Sequence, residues 1–401
     1  MTVNTVSFKY MDTNTVLIVL SSLAIFSYIF ELLAKSTRIP SVLMLLFTGM
    51  GIHYLTVYFG IEQPDFSRIL PTLGTIGLIM IVFEGALELK FEQSKIKLIR
   101  RAFFSALFIL LITALTISIL FQYMTGEKFS VCFLNAIPYS IISSAIAIPS
   151  VASINKEKKE FIIYESSFSD IIGIMVFNFS LNNQIIDFGS FLHLGVDITG
   201  ILLISAVFCI LLLYTLGRLT HHVKFFLIIS ILLLVYGTGK LLHLSSLVIV
   251  LALGLFLSNA DQVKHPKFRK VLLYESFGKD MHQLLQISSE TAFVLRTFFF
   301  VIFGFTIVFT ELLVKETLII AVMVLAIIYI VRLVYFLLMA RKDLIPEIFI
   351  TPRGLISVLL FFSIPDELQI EFLGKNLLFV VILATSLFMT FGLISAKRET
   401  K

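Results

Sequence analysis

Apolar runs of about 20 residues recur along the chain, the length that carries a helix across the hydrocarbon core of a membrane. A short polar or charged stretch closes each one. The pattern predicts thirteen spans, near 14–34, 39–59, 69–89, 100–122, 131–153, 160–182, 191–217, 224–243, 244–258, 288–310, 317–339, 347–364 and 373–394. The eighth and ninth abut, and Gly237 and Gly239 help to break the chain there. The first run has no small-residue cleavage pattern and leads into Lys35 and Arg38, so it reads as a spanning helix and not as a signal peptide.

Composition narrows the class. Of 401 residues, 58% are apolar and 14% charged, against about 25% charged in an ordinary soluble domain. This excludes a soluble enzyme, a disordered chain and a nucleic-acid binder. It predicts an all-α polytopic membrane protein. The net charge of +5 comes from basic residues in short runs between spans, not from one basic face. With the N-terminus outside, 22 Lys and Arg residues fall in inside loops and 6 in outside loops. One missed crossing would invert every later loop, so this bias supports the full count. The expected topology is a multi-pass protein of the inner cell membrane, with its C-terminus in the cytoplasm. Cys132 and Cys209 fall inside apolar runs, which argues against a disulfide or a thiolate metal site.

Thirteen is six plus one plus six. Spans five and twelve are the fifth members of the two halves. Span five carries Pro138 and Pro149, and span twelve carries Pro352 and Gly354. Proline removes a helical donor and clashes with the preceding turn. Interrupted helices at matching places in two halves are the sequence pointer to inverted repeats around a midplane site.

Ionisable groups in the hydrocarbon core cost on the order of 2.5–3.5 kcal/mol each, so they usually have a role and a partner. Span six holds Glu165, Ser166, Ser169 and Asp170 on one helical face. Gly173, one turn on, leaves that face open to close approach. Asp170 lies about 15 Å from the inner end of its span, at the midplane. Glu165, Arg353 and Arg332 share a layer about 8–10 Å deep. A Glu165–Arg353 pair is expected, leaving Asp170 without a fixed partner. A midplane carboxylate of that kind takes up a proton or a cation. Arg296, on span ten, has Glu290 six residues earlier as a local partner. The histidines sit at span ends or in loops without metal-ligand spacing. The mixed, mostly basic loop Asp261–Lys279 is expected to meet the lipid surface.

Three motifs then make a family legible. Phe83-Glu84-Gly85-Ala86-Leu87-Glu88-Leu89 is similar to an F-E-G-G-L-E-L motif that ends a third span. Glu165-Ser166-Ser167-Phe168-Ser169-Asp170 resembles E-S-x-x-N-D, and Arg353-Gly354 resembles the R-G that opens a twelfth span. Arg332 sits where an arginine is found on span eleven. In this order, the chain resembles the monovalent cation:proton antiporter superfamily, in its electroneutral sodium/proton exchanger branch.

The resemblance implies the antiporter fold, with crossed, broken helices in two inverted six-helix repeats. It implies Asp170 as the carboxylate that binds cation and proton in turn, with Ser169 and Ser166 beside the ion. Glu165 would be a helper carboxylate held by Arg353. Arg353 and Arg332 would compensate charge. Ser143, Ser144, Pro149, Pro352 and Gly354 would form the broken helices. Residues 14–89 and 224–310 would be the dimer scaffold, 100–182 and 317–394 a mobile core, and 191–217 a linker. H⁺ and Na⁺ or K⁺ would be the substrates, the protein would be a homodimer, and neither a cofactor nor an enzymatic reaction is implied.

Two departures bear on the activity. Ser169 stands where the family has Asn before the key Asp and where its electrogenic branch has Asp, so this chain has one titratable group there, not two, and one-for-one exchange is favoured. The T-D-P motif of span five appears as Ala147-Ile148-Pro149, which loses its polar pair; Ser143 and Ser144 lie one turn earlier. That loss lends support to the alternative of an ion channel or a gradient-sensing membrane component on the same fold. A membrane enzyme using Ser169 and Asp170 lacks a His or Lys within a turn of either serine.

Overall fold

In the computed structural model the described residues are 13–37, 39–60, 69–151, 154–183, 188–218, 224–242, 244–263, 277–312, 314–339, 345–370 and 373–395. They are helical, with no strand among them. A chain in hydrocarbon must satisfy its own backbone groups, and a helix does so within each segment. The helices are α1 (Thr13–Thr37), α2 (Ser41–Tyr58), α3 (Ile69–Glu88), α4 (Ile96–Thr125), α5 (Phe129–Ser140), α6 (Ser144–Ser150), α7 (Lys156–Asn182), α8 (Phe188–Arg218), α9 (Lys224–Leu241), α10 (Ser246–Ser258), α11 (Phe277–Phe305), α12 (Phe309–Leu312), α13 (Lys315–Leu338), α14 (Leu355–Phe362) and α15 (Lys375–Ser395).

Each of the thirteen predicted spans falls on one helix or one broken helix. By length and composition alone, seven helical segments among the described residues are long and apolar enough to cross a membrane. One expected break and one helix start differ from the sequence reading. Gly237 and Gly239 lie inside α9, which runs on to Leu241. A Cβ at Gly239 would sit 3.0 Å from the Ser246 Cα, so the glycine permits close packing of α9 on α10 and does not break the helix. The tenth span begins at Phe277, about three turns before the predicted residue 288. Lys279, Asp280 and His282 give that stretch the polarity of a loop, yet the helix runs on through them. Of the basic loop Asp261–Lys279, residues 264–276 lie outside the described residues.

Helix ends follow local chemistry. The Asn155 side chain caps α7 by accepting the Glu157 N–H at 2.9 Å. Gly126, at φ 73°, closes α4 in the left-handed conformation. Packing sorts the helices into two groups. α11 packs on α2 and α3, and α3 on α10, with α8 and α9 against α10 and α1 against α2. α4 packs on α5, α7 and α13; α6 lies on α7, α14 on α5 and α15 on α13. The groups meet where α7 touches α10 and α14 touches α3.

Candidate functional site

The fifth span is α5 plus α6, with residues 141–143 extended between them. The twelfth is a non-helical segment, 350–354, followed by α14. The two non-helical segments bond to each other, the Ser143 N–H donating to the Pro352 carbonyl at 2.8 Å. A Cβ at Gly354 would lie 2.5 Å from Ser143 Oγ, so this approach requires glycine. Pro138 and Pro149 sit inside α5 and α6. The break lies between them and not at either.

An interrupted helix leaves donors at one new end and acceptors at the other. α7 supplies the acceptors. Ser169 Oγ accepts the Ile142 N–H at 2.9 Å, and Asp170 Oδ2 accepts the Ser144 N–H at 3.1 Å. Arg353 supplies the donors. Its Nε donates to the Tyr139 carbonyl at 2.7 Å and its Nη2 to the Ser140 carbonyl at 3.4 Å. These are the last two residues of α5. A guanidinium there also meets the negative end of the helix dipole. The same side chain donates to the Thr351 carbonyl and hydroxyl. Its backbone N–H is held by Thr385 Oγ1 at 3.1 Å.

Gly173 has a reason in this arrangement: a Cβ there would run into the Ile141 side chain. Asp170 is only 6% exposed, and its Oδ1 has no hydrogen-bond partner among the described residues. The buried Ser143 and Ser357 hydroxyls are likewise unpartnered. Ser166 is not turned to Asp170. Its hydroxyl donates to the Ile162 carbonyl of its own helix at 2.8 Å.

The predicted Glu165–Arg353 pair does not form. Glu165 pairs with Arg332, whose Nη1 and Nη2 reach the two carboxylate oxygens at 3.2 and 2.7 Å. Ser105 Oγ adds a bond to Glu165 Oε1 at 2.5 Å, and Arg332 Nε donates to the Glu347 carbonyl at 2.9 Å. The pair is at most 1% exposed. Depth placed both arginines in one layer but did not give their direction around the bundle. Arg353 is committed to carbonyls instead, which a count of charges does not reveal.

Arg296 also differs from expectation. Its Nη2 pairs with Glu84 on α3 at 3.2 Å, not with Glu290, and its Nη1 donates to the Ala145 carbonyl at the start of α6 at 3.2 Å. Ser289 Oγ holds the other Glu84 oxygen at 2.7 Å. Arg296 thus ties α11 and α3 to α6. A cleft of about 60 Å³, room for about two waters, opens here beside Ser144. Glu84, Glu88, Ile148, Pro149 and Arg296 line it.

Ser105, Thr351 and Thr385 were not singled out from sequence. Each is a hydroxyl in or beside an apolar run, with no charge next to it in sequence except at Thr351, two residues before Arg353.

The sequence matches the family described as sodium/hydrogen exchanger, transmembrane, over residues 20–396. The chain belongs to that family. It is a family of multi-pass membrane transporters and not a class of enzymes. No curated protein sequence matches it significantly. Among solved structures the fold is similar to that of the sodium proton antiporter MjNhaP1 from Methanocaldococcus jannaschii at pH 8. There the TM-score is 0.74 at 20% identity, covering 95% of this chain and all of that one. An electron-microscopy structure of MjNhaP1 matches with a TM-score of 0.66 at 17% identity, over 98% of this chain and all of that one. This exchanger therefore has the antiporter fold that the spans and motifs implied.

Proposed function

We propose that this exchanger carries a monovalent cation, Na⁺ or K⁺, in one direction and H⁺ in the other, with Asp170 binding each in turn. One observation carries the reading. Asp170 is a buried carboxylate with one oxygen held by the Ser144 N–H and the other unpartnered. The unpaired oxygen can take a proton or coordinate a dehydrated cation. Ser143 and Ser144 stand at the same break, and their oxygens suit a hard monovalent ion. Glu165 is already neutralised by Arg332. With one exchangeable carboxylate, each cycle moves one positive charge each way, so exchange is electroneutral.

The two packing groups suggest the motion. The helices of residues 100–182 and 317–394, which carry the crossing and the charge layer, move as a body. They slide past a scaffold made of 14–89 and 224–310. The motion presents Asp170 to each side alternately. The scaffold pairs with a second copy to form a homodimer in the inner membrane, with the N-terminus outside.

Proton and cation compete for one carboxylate under this scheme. Lowering the pH protonates Asp170 and raises the apparent KM for the cation, while raising the pH lowers it toward a floor. The test is a proteoliposome assay with Na⁺, K⁺ and Li⁺ gradients imposed separately and internal pH recorded across a pH series. Coupled pH change that is independent of membrane voltage supports the reading. Flux that is uncoupled from protons contradicts it and favours a channel.

A further inference from the structure

A second concavity lies on the outside of the bundle, away from Asp170. Its volume is about 540 Å³, within the range of about 300–1,000 Å³ that holds small ligands. α4 and the end of α13 line it. Lys97, Arg100, Arg101, Phe104 and Phe108 follow the spacing i, i+3, i+4, i+7 and i+11, so they form one stripe down α4. All five are exposed. Tyr335 of α13 and Met339, just past its end, face them across the groove. Among the described residues none of the three cations is paired with a carboxylate, although Lys95, one turn away, pairs with Glu92 and Glu160.

Charge and apolar surface are segregated along the groove. The cations fill the first turns of α4, next to its polar flank, and the phenylalanines fill the following turns, inside its apolar run. That order matches an amphiphile lying along the membrane normal, with an anionic head at the water interface and hydrocarbon below it. Ser105 forms part of the floor, and its hydroxyl is the one that donates to Glu165.

We propose that this groove binds the phosphate head of an anionic phospholipid between α4 and α13. Arg100 and Arg101 clamp the phosphate, Lys97 adds a point charge, and Phe104, Phe108 and Met339 hold the first carbons of the acyl chains. The occupant braces the two helices whose Ser105 and Arg332 enclose Glu165. The site is independent of Asp170 and of the transported ion.

Thermal unfolding of the full-length, detergent-purified protein tests this, with dioleoyl phosphatidylglycerol, dioleoyl phosphatidylcholine or inorganic phosphate added. A ligand that binds only the folded state raises the melting temperature, here by on the order of 5 °C at high occupancy. Phosphatidylglycerol should produce the rise; phosphatidylcholine and phosphate should not. Lys97→Gln/Arg100→Gln/Arg101→Gln should abolish it, and Lys156→Gln/Lys159→Gln, which removes the same kind of charge from the start of α7, should retain it. An equal rise with phosphatidylcholine, with phosphate alone, or in the α4 triple variant overturns the proposal. If the triple variant does not fold, native mass spectrometry of Arg100→Gln decides. Retention of phosphatidylglycerol at the parental level then overturns it, and loss supports it.

Discussion

Glu165 and Asp170 sit five residues apart on α7, have the same chemistry and are both buried. Their surroundings are opposite. Both oxygens of Glu165 are taken, by a two-pronged guanidinium and by a serine hydroxyl. Asp170 has one backbone donor on one oxygen and none on the other. Glu165 is a closed shell: a buried charge with its partner in place, which costs stability if either side is lost. Asp170 is an open one, and its missing partner is a place for the transported ion. What separates a structural carboxylate from an exchangeable one here is the number of its donors, not its depth or its residue type.

Each prediction breaks one side of that contrast. The largest effect on stability is expected for Glu165→Gln, which strands Arg332 in the interior. Breaking a buried pair from one side costs about 3–5 kcal/mol, so the melting temperature and the folded yield fall sharply. Arg332→Gln in the same chain should recover much of the loss, because neither charge is then unpaired. Additive damage from the two changes contradicts the pairing. Arg353→Gln is expected to come next. It cannot reach all the carbonyls of α5 that the guanidinium serves, and each buried acceptor left bare costs about 1–3 kcal/mol. Combining it with Glu165→Gln should bring no rescue, which distinguishes the observed network from a Glu165–Arg353 pair.

Arg296→Gln is the smallest. The Arg296–Glu84 contact is mostly buried, at 13% and 12% exposure of the two side chains; Glu84 keeps its bond from Ser289, so the loss of stability is expected to be smaller than for the fully buried Glu165–Arg332 pair. The tie between α11 and the start of α6 is lost, however. Transport should keep its dependence on Asp170 while its maximal rate or KM shifts by less than tenfold. An unchanged rate and KM would remove Arg296 from the pathway.

The contrast between the two carboxylates was half legible in the sequence. Asp170 stands out because so few charges interrupt the apolar runs, and helical rise puts it at midplane. The same arithmetic set Glu165, Arg332 and Arg353 in one layer. It could not choose between the arginines, because depth fixes position along the membrane normal and not the angle around the bundle. Nor does sequence report that a guanidinium serves backbone carbonyls, since those belong to every residue and carry no letter. Prolines 138 and 149 pointed to the right span for the break but not to the right residues. Residues 141–143 unwind where Ser169 and Asp170 on a neighbouring helix stand ready to accept the freed N–H groups. For Arg296 the nearest acid along the chain was the wrong partner, because α3 brings Glu84 closer in space than the helix brings Glu290.

The account rests most directly on the claim that Asp170 is the exchangeable carboxylate and Glu165 the fixed one. The measurement is cation-driven pH change in proteoliposomes, comparing Asp170→Asn with the double variant Glu165→Gln/Arg332→Gln at matched reconstitution. The account predicts that Asp170→Asn is folded and indistinguishable from empty liposomes, while the double variant still exchanges. Transport by Asp170→Asn at the parental rate, or its loss only when Glu165 is replaced, would contradict it.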